Sequence, residues 1–203
     1  MKKILFINSA LSPKCVCLIA KNQTRIIETS GFKADLPNIL SATESLCEQA
    51  EIDLHDIDAV CVVLGPGNFS ALRVGCIVAM TLASQLKIDL FAVDSLSVLS
   101  QIAKSKNVCM SASKNEFYEF DLQQQIILKS ASDLNLDSYD LCDFDKKFLE
   151  QNKLDTTKVR LLEISDLENF CRDENFWNFI SAFKSPKIIE PLYIKPPNIH
   201  VKD

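Results

Sequence analysis

The spacing of apolar residues predicts alternating strands and helices over the first hundred positions. Three apolar segments, KILFIN (3–8), CVCLIA (15–20) and TRIIET (24–29), are separated by short polar turns, which is typical of a strand meander. Between residues 36 and 50 the apolar positions recur every three or four residues, with glutamates on the other face. The chain is therefore expected to begin with three strands and an amphipathic helix.

A second run of elements surrounds a cluster of glycines. DAVCVVL (58–64) is an uninterrupted apolar segment, which favours a strand covered on both faces of a parallel sheet. A Gly-Pro-Gly turn follows, and then an apolar helix over 70–86. LFAV (90–93) predicts another buried strand, and Asp94 or Ser95 can cap a helix over 95–104. The order β-β-β-α-β-α-β-α indicates an α/β fold.

The pattern changes near residues 104–107, where we place a domain boundary between 1–104 and 105–203. The second part contains three short strand patterns, then a polar stretch over 133–157 that predicts loops or partial helix. A further strand is predicted over 159–164, followed by two short helices and a proline-bounded tail that packs back on the first part. We expect an aromatic cluster to form the core of this second lobe: Phe170, Phe176, Trp177, Phe179 and Phe183.

Composition narrows the functional classes. A net charge of −5 argues against a protein that binds nucleic acid through its own surface, because such proteins are usually basic. The eight cysteines are scattered through apolar segments without a CxxC pair, so we interpret them as reduced, buried residues of a cytoplasmic protein. The two histidines, His55 and His200, lack metal-binding spacing, so no metal site is expected.

The turn GPGN at Gly65, Pro66, Gly67 and Asn68 is the first candidate site. Glycine allows positive φ, and a helix N-terminus reached by bare backbone can contact an anion such as phosphate. The alternative is a sharp turn without a ligand. No lysine follows as in a P-loop, and Ser70 is a poor third member of a dinucleotide-binding GxGxxG motif, so Asp94 is better explained as a helix cap than as a ribose-binding acid.

The helix after the turn has no charged residue from position 74 to 86, which is typical of a helix covered on both sides. We judge it too short and too often interrupted by polar residues for a membrane span. Its stripe of small residues can seat the helix on its own sheet or receive a partner. The candidate partner interface combines this stripe with the apolar edge of the preceding helix: Leu36, Ile39, Leu40, Thr43, Ala71, Gly75, Ala79 and Ala83.

These segments resemble the bacterial TsaB (YeaZ) family. The stretch GPGNFSALRVG is similar to the family motif GPGSFTGLRIG, the opening hairpin matches in position, and PLYIKP resembles a late segment of the family. The resemblance covers residues 1–104 well and 107–185 loosely. It implies an actin-like ATPase (ASKHA, RNase H-like) fold of two lobes, the second smaller and divergent.

The resemblance also implies a role in forming threonylcarbamoyladenosine in tRNA. Family members serve as non-catalytic scaffold subunits that pair with the catalytic subunit TsaD, together with the ATPase TsaE. On this basis tRNA is contacted only through the complex, and the isolated chain binds no cofactor, although ATP or ADP is a candidate at the interface between subunits. When the partner is missing, a homodimer and a monomer are both open alternatives, and no membrane contact is implied.

Several positions depart from the family pattern. Asn8 stands where the first strand usually ends in aspartate, and an amide brings no negative charge to magnesium. Ser111, Ala112 and Ser113 replace a DAR sequence. These changes favour a non-catalytic subunit over two alternatives, an independent ASKHA kinase or ATPase and a glycoprotease-like peptidase. Arg73 is a candidate for meeting a phosphate or carboxylate across the interface, unless it pairs with an acid of its own chain.

Overall fold

The computed structural model describes residues 2–20, 23–29, 35–185 and 188–194, and the side chains of 35–37 are not described. Within these ranges the strands are β1 (Ile4–Asn8), β2 (Cys15–Ala20), β3 (Gln23–Glu28), β4 (Ala59–Gly65), β5 (Asp89–Asp94), β6 (Val108–Ser113), β7 (Glu116–Phe120), β8 (Ile126–Ser130), β9 (Leu141–Asp143) and β10 (Lys184–Ser185). The helices are α1 (Asp35–Ala50), α2 (Phe69–Leu86), α3 (Ser95–Ala103), α4 (Lys146–Asn152), α5 (Ile164–Arg172) and α6 (Phe176–Ser181).

The first sheet has six strands in the order β10-β5-β4-β1-β2-β3. Strands β1, β2 and β3 form the predicted antiparallel meander, while β4 and β5 run parallel to β1. Phe6 in β1 is in register with Cys61 in β4, which is in register with Phe91 in β5. The parallel strands at the centre are buried on both faces, as their uninterrupted apolar sequences predict.

The second sheet has four strands in the order β8-β7-β6-β9. The predicted strands β6, β7 and β8 are antiparallel, and β9 adds parallel to β6. Strand β9 lies in the stretch for which we predicted loops or partial helix. The strand predicted over 159–164 is reduced to a single bridge between Leu161 and Cys142. Strand β9 was missed because three residues carry too little pattern to identify a strand before its partner is known.

Both faces of the first sheet are covered. On one face, α1 and α2 pack against side chains such as Leu5, Ile7 and Val62. On the other face, Phe6 and Phe91 are covered by aromatic residues of α5 and α6. Alternate residues of β1 point to opposite layers, so that each central strand contributes to both.

The aromatic cluster corrects our prediction for the second lobe. The ring of Phe6 lies 5.7 Å from that of Phe170 and 5.9 Å from that of Phe176, and Trp177 lies 5.3 Å from Phe91. These rings are therefore the cover of the first sheet and not the core of a separate second lobe. The exposed apolar face of that sheet attracts them although they come from the last third of the chain.

The two sheets share a continuous core. Val108, Met110, Tyr118 and Leu141 of the second sheet belong to the same buried cluster as Phe6 of the first. A separate cluster that includes Cys109, Phe117, Cys142 and Phe148 covers the other face of the second sheet. The link between α3 and β6 falls at 104–107, where the boundary was predicted. The division into two domains itself stays a prediction, since α5, α6 and β10 return to the first sheet.

Helix α2 has 18 residues and is long and apolar enough, by length and composition alone, to cross a membrane. By itself this is weak evidence for a membrane span. Core helices of folded proteins meet the same criterion, and seven residues of α2 are buried within this chain. The eight cysteines are free and buried, which confirms their interpretation as apolar core residues.

Candidate functional site

The Gly-Pro-Gly turn joins β4 to α2 and has the backbone conformation that the sequence predicts. Gly65 has φ +109°, where a side chain is strained, and a Cβ there would lie 2.8 Å from Leu72 Cδ1. Asn68 caps the helix by accepting a hydrogen bond from the N–H of Ala71. Ser95 Oγ, at the start of α3, donates a hydrogen bond to the carbonyl of Pro66 at 2.7 Å and so holds the turn against α3.

The turn packs directly on the loop that follows β1. A Cβ on Gly67 would lie 3.0 Å from the carbonyl oxygen of Ala10. A Cβ on Gly75, two turns into α2, would lie 2.1 Å from Ser9 Oγ, so a side chain there would force Ser9 to move. The glycines therefore let the loop after β1 reach both the turn and the helix, and the backbone of the two loops is in contact.

The small-residue stripe of α2 faces this chain's own sheet. Ala71, Ala79 and Ala83 are fully buried, and a Cβ on Gly75 would meet Ser9 in the loop after β1 and Val62 in β4. The prediction that these four residues contact a partner is therefore wrong for this conformation of the chain. The physical reason is that small side chains bring α2 close to the sheet, so the stripe is used within the fold.

The predicted interface residues of α1 divide between core and surface. Ile39 and Thr43 are buried, and Thr43 Oγ1 donates to the carbonyl of Ile39 at 2.8 Å, so neither faces a partner. Leu40 is 40% exposed, and its role as an interface residue stays a prediction. The side chain of Leu36 lies outside the described residues.

The outer side of the α1–α2 layer carries exposed apolar side chains, two of which sequence reasoning did not select. Ile77 is 51% exposed and Phe69 is 38% exposed, and both lie on α2. Leu40 adds to them from α1, which packs against α2. These three residues, which we call the outer apolar patch, have no charged neighbour on α2 beyond Arg73. The exposed positions of α1 carry Glu44 and Glu48.

Arg73 lies at the edge of the outer apolar patch. Its guanidinium carbon is 5.6 Å from the centre of the Phe69 ring, and that ring stacks on Tyr193 at 4.8 Å. Among the described residues, no acidic side chain forms an ion pair with Arg73. The guanidinium is therefore held beside aromatic rings and exposed to solvent, where a negative group of another molecule can reach it.

Asn8 ends β1 and uses its whole amide group within its own turn. Its oxygen accepts hydrogen bonds from the N–H groups of Ala10 and Leu11, and its nitrogen donates to the carbonyls of Leu11 and Pro13, the latter at 2.9 Å. A carboxylate has no proton to donate to those carbonyls. The amide thus shapes this loop, which is the one that packs on the glycine turn.

Asp143 is a buried acid that sequence reasoning missed. It is the last residue of β9, and its carboxylate accepts a hydrogen bond from the N–H of Ser12 at 3.1 Å. Burial raises the pKa of this carboxyl to about 7, and nearby Asp145 adds to the effect. Asp143 therefore links the second sheet to the loop after β1. The sequence signal was weak because β9 itself was not predicted.

The side chains of Asp94, Ser111 and Ser113 make hydrogen bonds within the fold. Asp94 caps α3 by accepting from the N–H of Ser97, which confirms the cap interpretation. Ser111 Oγ accepts from the N–H of Asp145, and Ser113 Oγ donates to Glu116. Among the described residues, no group of three or more His, Cys, Asp or Glu is placed to hold a metal.

His55, the histidine among the described residues, is not placed for a peptidase site. His55 is exposed, contacts Asp53, and lines a polar cavity of about 580 Å³ whose described lining contains no serine, threonine or cysteine. A catalytic histidine must lie within reach of a nucleophile. His200 lies outside the described residues.

Comparison with known proteins identifies the family. The family described as "TsaD: tRNA N6-adenosine threonylcarbamoyltransferase" matches residues 32–145, more than half of the chain. The tRNA threonylcarbamoyladenosine biosynthesis protein TsaB of Buchnera aphidicola subsp. Acyrthosiphon pisum is 23% identical over 86% of this chain and 79% of its own length. The TsaB of Buchnera aphidicola subsp. Schizaphis graminum is 29% identical over 51% of this chain, and the alignment spans about half (49%) of that relative.

A solved structure agrees with the architecture. YeaZ from Pseudomonas aeruginosa superposes with a TM-score of 0.54 at 23% identity, over 64% of this chain and 65% of its own. The mixed α/β architecture with two sheets is consistent with an ASKHA, RNase H-like fold. Because the family match covers more than half of the sequence, the chain belongs to the TsaB/YeaZ family of TsaD-like proteins.

Proposed function

We propose that this protein is a non-catalytic subunit of the machinery that forms threonylcarbamoyladenosine in tRNA. In this proposal it pairs with a TsaD-type catalytic subunit in the cytoplasm, with a TsaE-type ATPase as a further component. Its two sheets correspond to the two lobes of an ASKHA fold. Contact with tRNA comes through the complex, because a net charge of −5 gives the chain little attraction for phosphate.

The outer apolar patch is the observation that carries the proposal. Ile77, Phe69 and Leu40 are large apolar side chains exposed on neighbouring helices, and exposed apolar patches mark interaction surfaces. Arg73 provides a fixed positive charge at its edge, and Glu44 provides a negative one on α1. An apolar centre with a charged rim is the usual composition of a protein–protein interface. The partner surface thus differs from the small-residue stripe predicted from sequence.

Two features support a chain that binds no nucleotide by itself. Asn8 offers no carboxylate to magnesium, and its amide already makes hydrogen bonds within its turn. The loop after β1 also approaches the glycine turn closely, since a Cβ on Gly67 would lie 3.0 Å from the carbonyl oxygen of Ala10. ATP or ADP, if required, is then bound where two subunits meet. This argues against the independent kinase or ATPase.

Light-scattering chromatography tests the proposal. The wild-type chain is expected to form a 1:1 complex with TsaD from the same organism, and Ile77→Glu is expected to abolish it. A charge buried at the centre of an apolar interface lacks a partner and costs several kcal/mol, or at least a hundredfold in affinity. Gly75→Leu is unsuitable for this test because it disrupts packing on Ser9 within the chain.

Leu122→Glu is the matched control. Leu122 is 98% exposed in the turn between β7 and β8, so this variant introduces the same charge at another exposed apolar position. It is expected to bind TsaD as the wild type does, and both variants should keep the wild-type circular dichroism spectrum. A wild-type chain that ignores TsaD, or an Ile77→Glu variant that binds it normally, contradicts the proposed interface. ATP hydrolysis by the chain alone would favour the independent enzyme.

A further inference from the structure

Two cysteines of the second sheet face each other across adjacent strands. Cys109 of β6 is in register with Cys142 of β9, and their Sγ atoms are 3.2 Å apart. Neighbouring strands are separated by about 4.8 Å, which is within the Cα–Cα range that a disulfide spans. The two sulfur atoms therefore need to move about 1 Å closer to reach bonding distance.

The pair is enclosed within the second sheet. Both side chains are fully buried in the cluster formed with Phe117, Phe144 and Phe148. The backbone of Cys142 is also held by the 160–162 segment, through its N–H to Arg160 and its carbonyl to Leu162. Burial raises the pKa of the Cys109 thiol far above its usual range, and the hydrogen bond with Cys142 adds to this. The thiolate needed for exchange therefore forms only when β9 opens locally.

We propose that Cys109 and Cys142 are a disulfide-forming site that an external disulfide oxidises. With oxidised glutathione as the oxidant, one cysteine thiolate attacks a glutathione sulfur and releases one glutathione thiolate. The second cysteine then attacks the resulting mixed disulfide, forms the Cys109–Cys142 bond and releases a second glutathione. The two protein thiols lose two electrons and two protons, and one glutathione disulfide becomes two glutathione thiols.

The bond would lock β9 to β6 beside the contact between the two sheets. Asp143, the next residue of β9, holds the backbone of Ser12 in the loop after β1. The loop that the bond would close joins positions 33 apart in sequence, so the unfolded chain is substantially restricted by it. Oxidation is therefore expected to raise the melting temperature of the protein, and dithiothreitol is expected to reverse the rise.

Peptide mapping tests the site directly on the native wild-type chain. After prolonged incubation with oxidised glutathione, remaining thiols are alkylated and the protein is digested with trypsin. Cys109 falls in NVCMSASK (107–114) and Cys142 in SASDLNLDSYDLCDFDK (130–146), and each peptide has one cysteine. The expected result is a linked pair of these peptides with the mass of two hydrogens missing, together with a higher melting temperature.

Two variants control the experiment. Cys109→Ser is expected to lose the linked peptides and the change in melting temperature. Cys47→Ser, at a cysteine of α1 in a different core cluster, is expected to keep both. The proposal is overturned if both wild-type peptides remain fully alkylated, if they carry only glutathione, or if Cys142 links to another cysteine. Because these readouts use the wild-type chain, they stand even if a variant folds poorly.

Discussion

Replacing Asp143 with asparagine is expected to remove a pH dependence that the buried carboxyl imposes on stability. The carboxyl is shielded from water, its pKa is raised to about 7 chiefly by burial, and it accepts one hydrogen bond from the N–H of Ser12. In the unfolded chain the same group ionises near its ordinary value of 3.8. Between these two pH values the native state holds a proton that the unfolded state has released. The free energy of unfolding therefore falls as the pH rises.

The size of the effect follows from the two pKa values. They differ by about 3 pH units, and each unit corresponds to about 1.36 kcal/mol, so the full contribution is about 4 kcal/mol. Between about pH 5 and about pH 7.5, linkage gives a loss of about 2–3 kcal/mol from this group. The Asp143→Asn variant keeps a side-chain oxygen that can accept from Ser12 but has no group that ionises there. Over this range the variant should thus gain stability relative to the wild type by about 2–3 kcal/mol.

Urea unfolding followed by far-UV circular dichroism measures this difference. Both proteins are unfolded at the same ionic strength, with reductant, at several pH values within the range. Taking the difference between the two proteins removes the contribution of other titrating groups that they share. Equal urea dependences of the free energy at each pH confirm that the same amount of surface is exposed on unfolding.

A constant difference between the two proteins would refute the reasoning, because it would mean that Asp143 ionises alike in both states. A difference that changes in the wild type's favour as the pH rises would mean that its native pKa is lowered. The carboxylate would then be stabilised by groups other than the Ser12 N–H.

Three further substitutions test the packing described above, each by urea unfolding. Asn8→Asp should lower the free energy of unfolding by about 1–3 kcal/mol, because the carbonyl of Pro13 loses its hydrogen-bond donor and faces a negative charge. Asn8→Ser should lower it less, because the serine carries no charge. Gly75→Ala should lower the free energy of unfolding by about 1–3 kcal/mol, because the added methyl group overlaps Ser9. Adding Ser9→Gly should recover part of this loss. If the effects of the two substitutions simply add, the contact between the two residues is contradicted. Phe176→Ala should cost about 3–5 kcal/mol, and a loss below about 1 kcal/mol would show that its ring does not cover the first sheet.

The sequence alone determined most elements of the first hundred residues. Their strands and helices are long or strongly periodic, and capping residues such as Asn68 and Asp94 mark helix starts locally. The Gly-Pro-Gly turn was likewise readable, because positive φ at Gly65 is a property of the residue itself. Short elements of the second half, such as β9 and β10, were not predicted, since two or three residues form a strand only when a neighbouring strand offers hydrogen bonds.

Only the tertiary structure decided which surface each residue faces. A stripe of small residues is compatible with a partner or with the chain's own sheet, and the approach of Ser9 to Gly75 assigned it to the sheet. The same packing left Ile77 exposed, and buried Asp143 next to the loop after β1. Periodicity identifies the apolar face of an element, but what covers that face depends on segments distant in sequence. Those segments are arranged by the free-energy cost of leaving apolar surface in water.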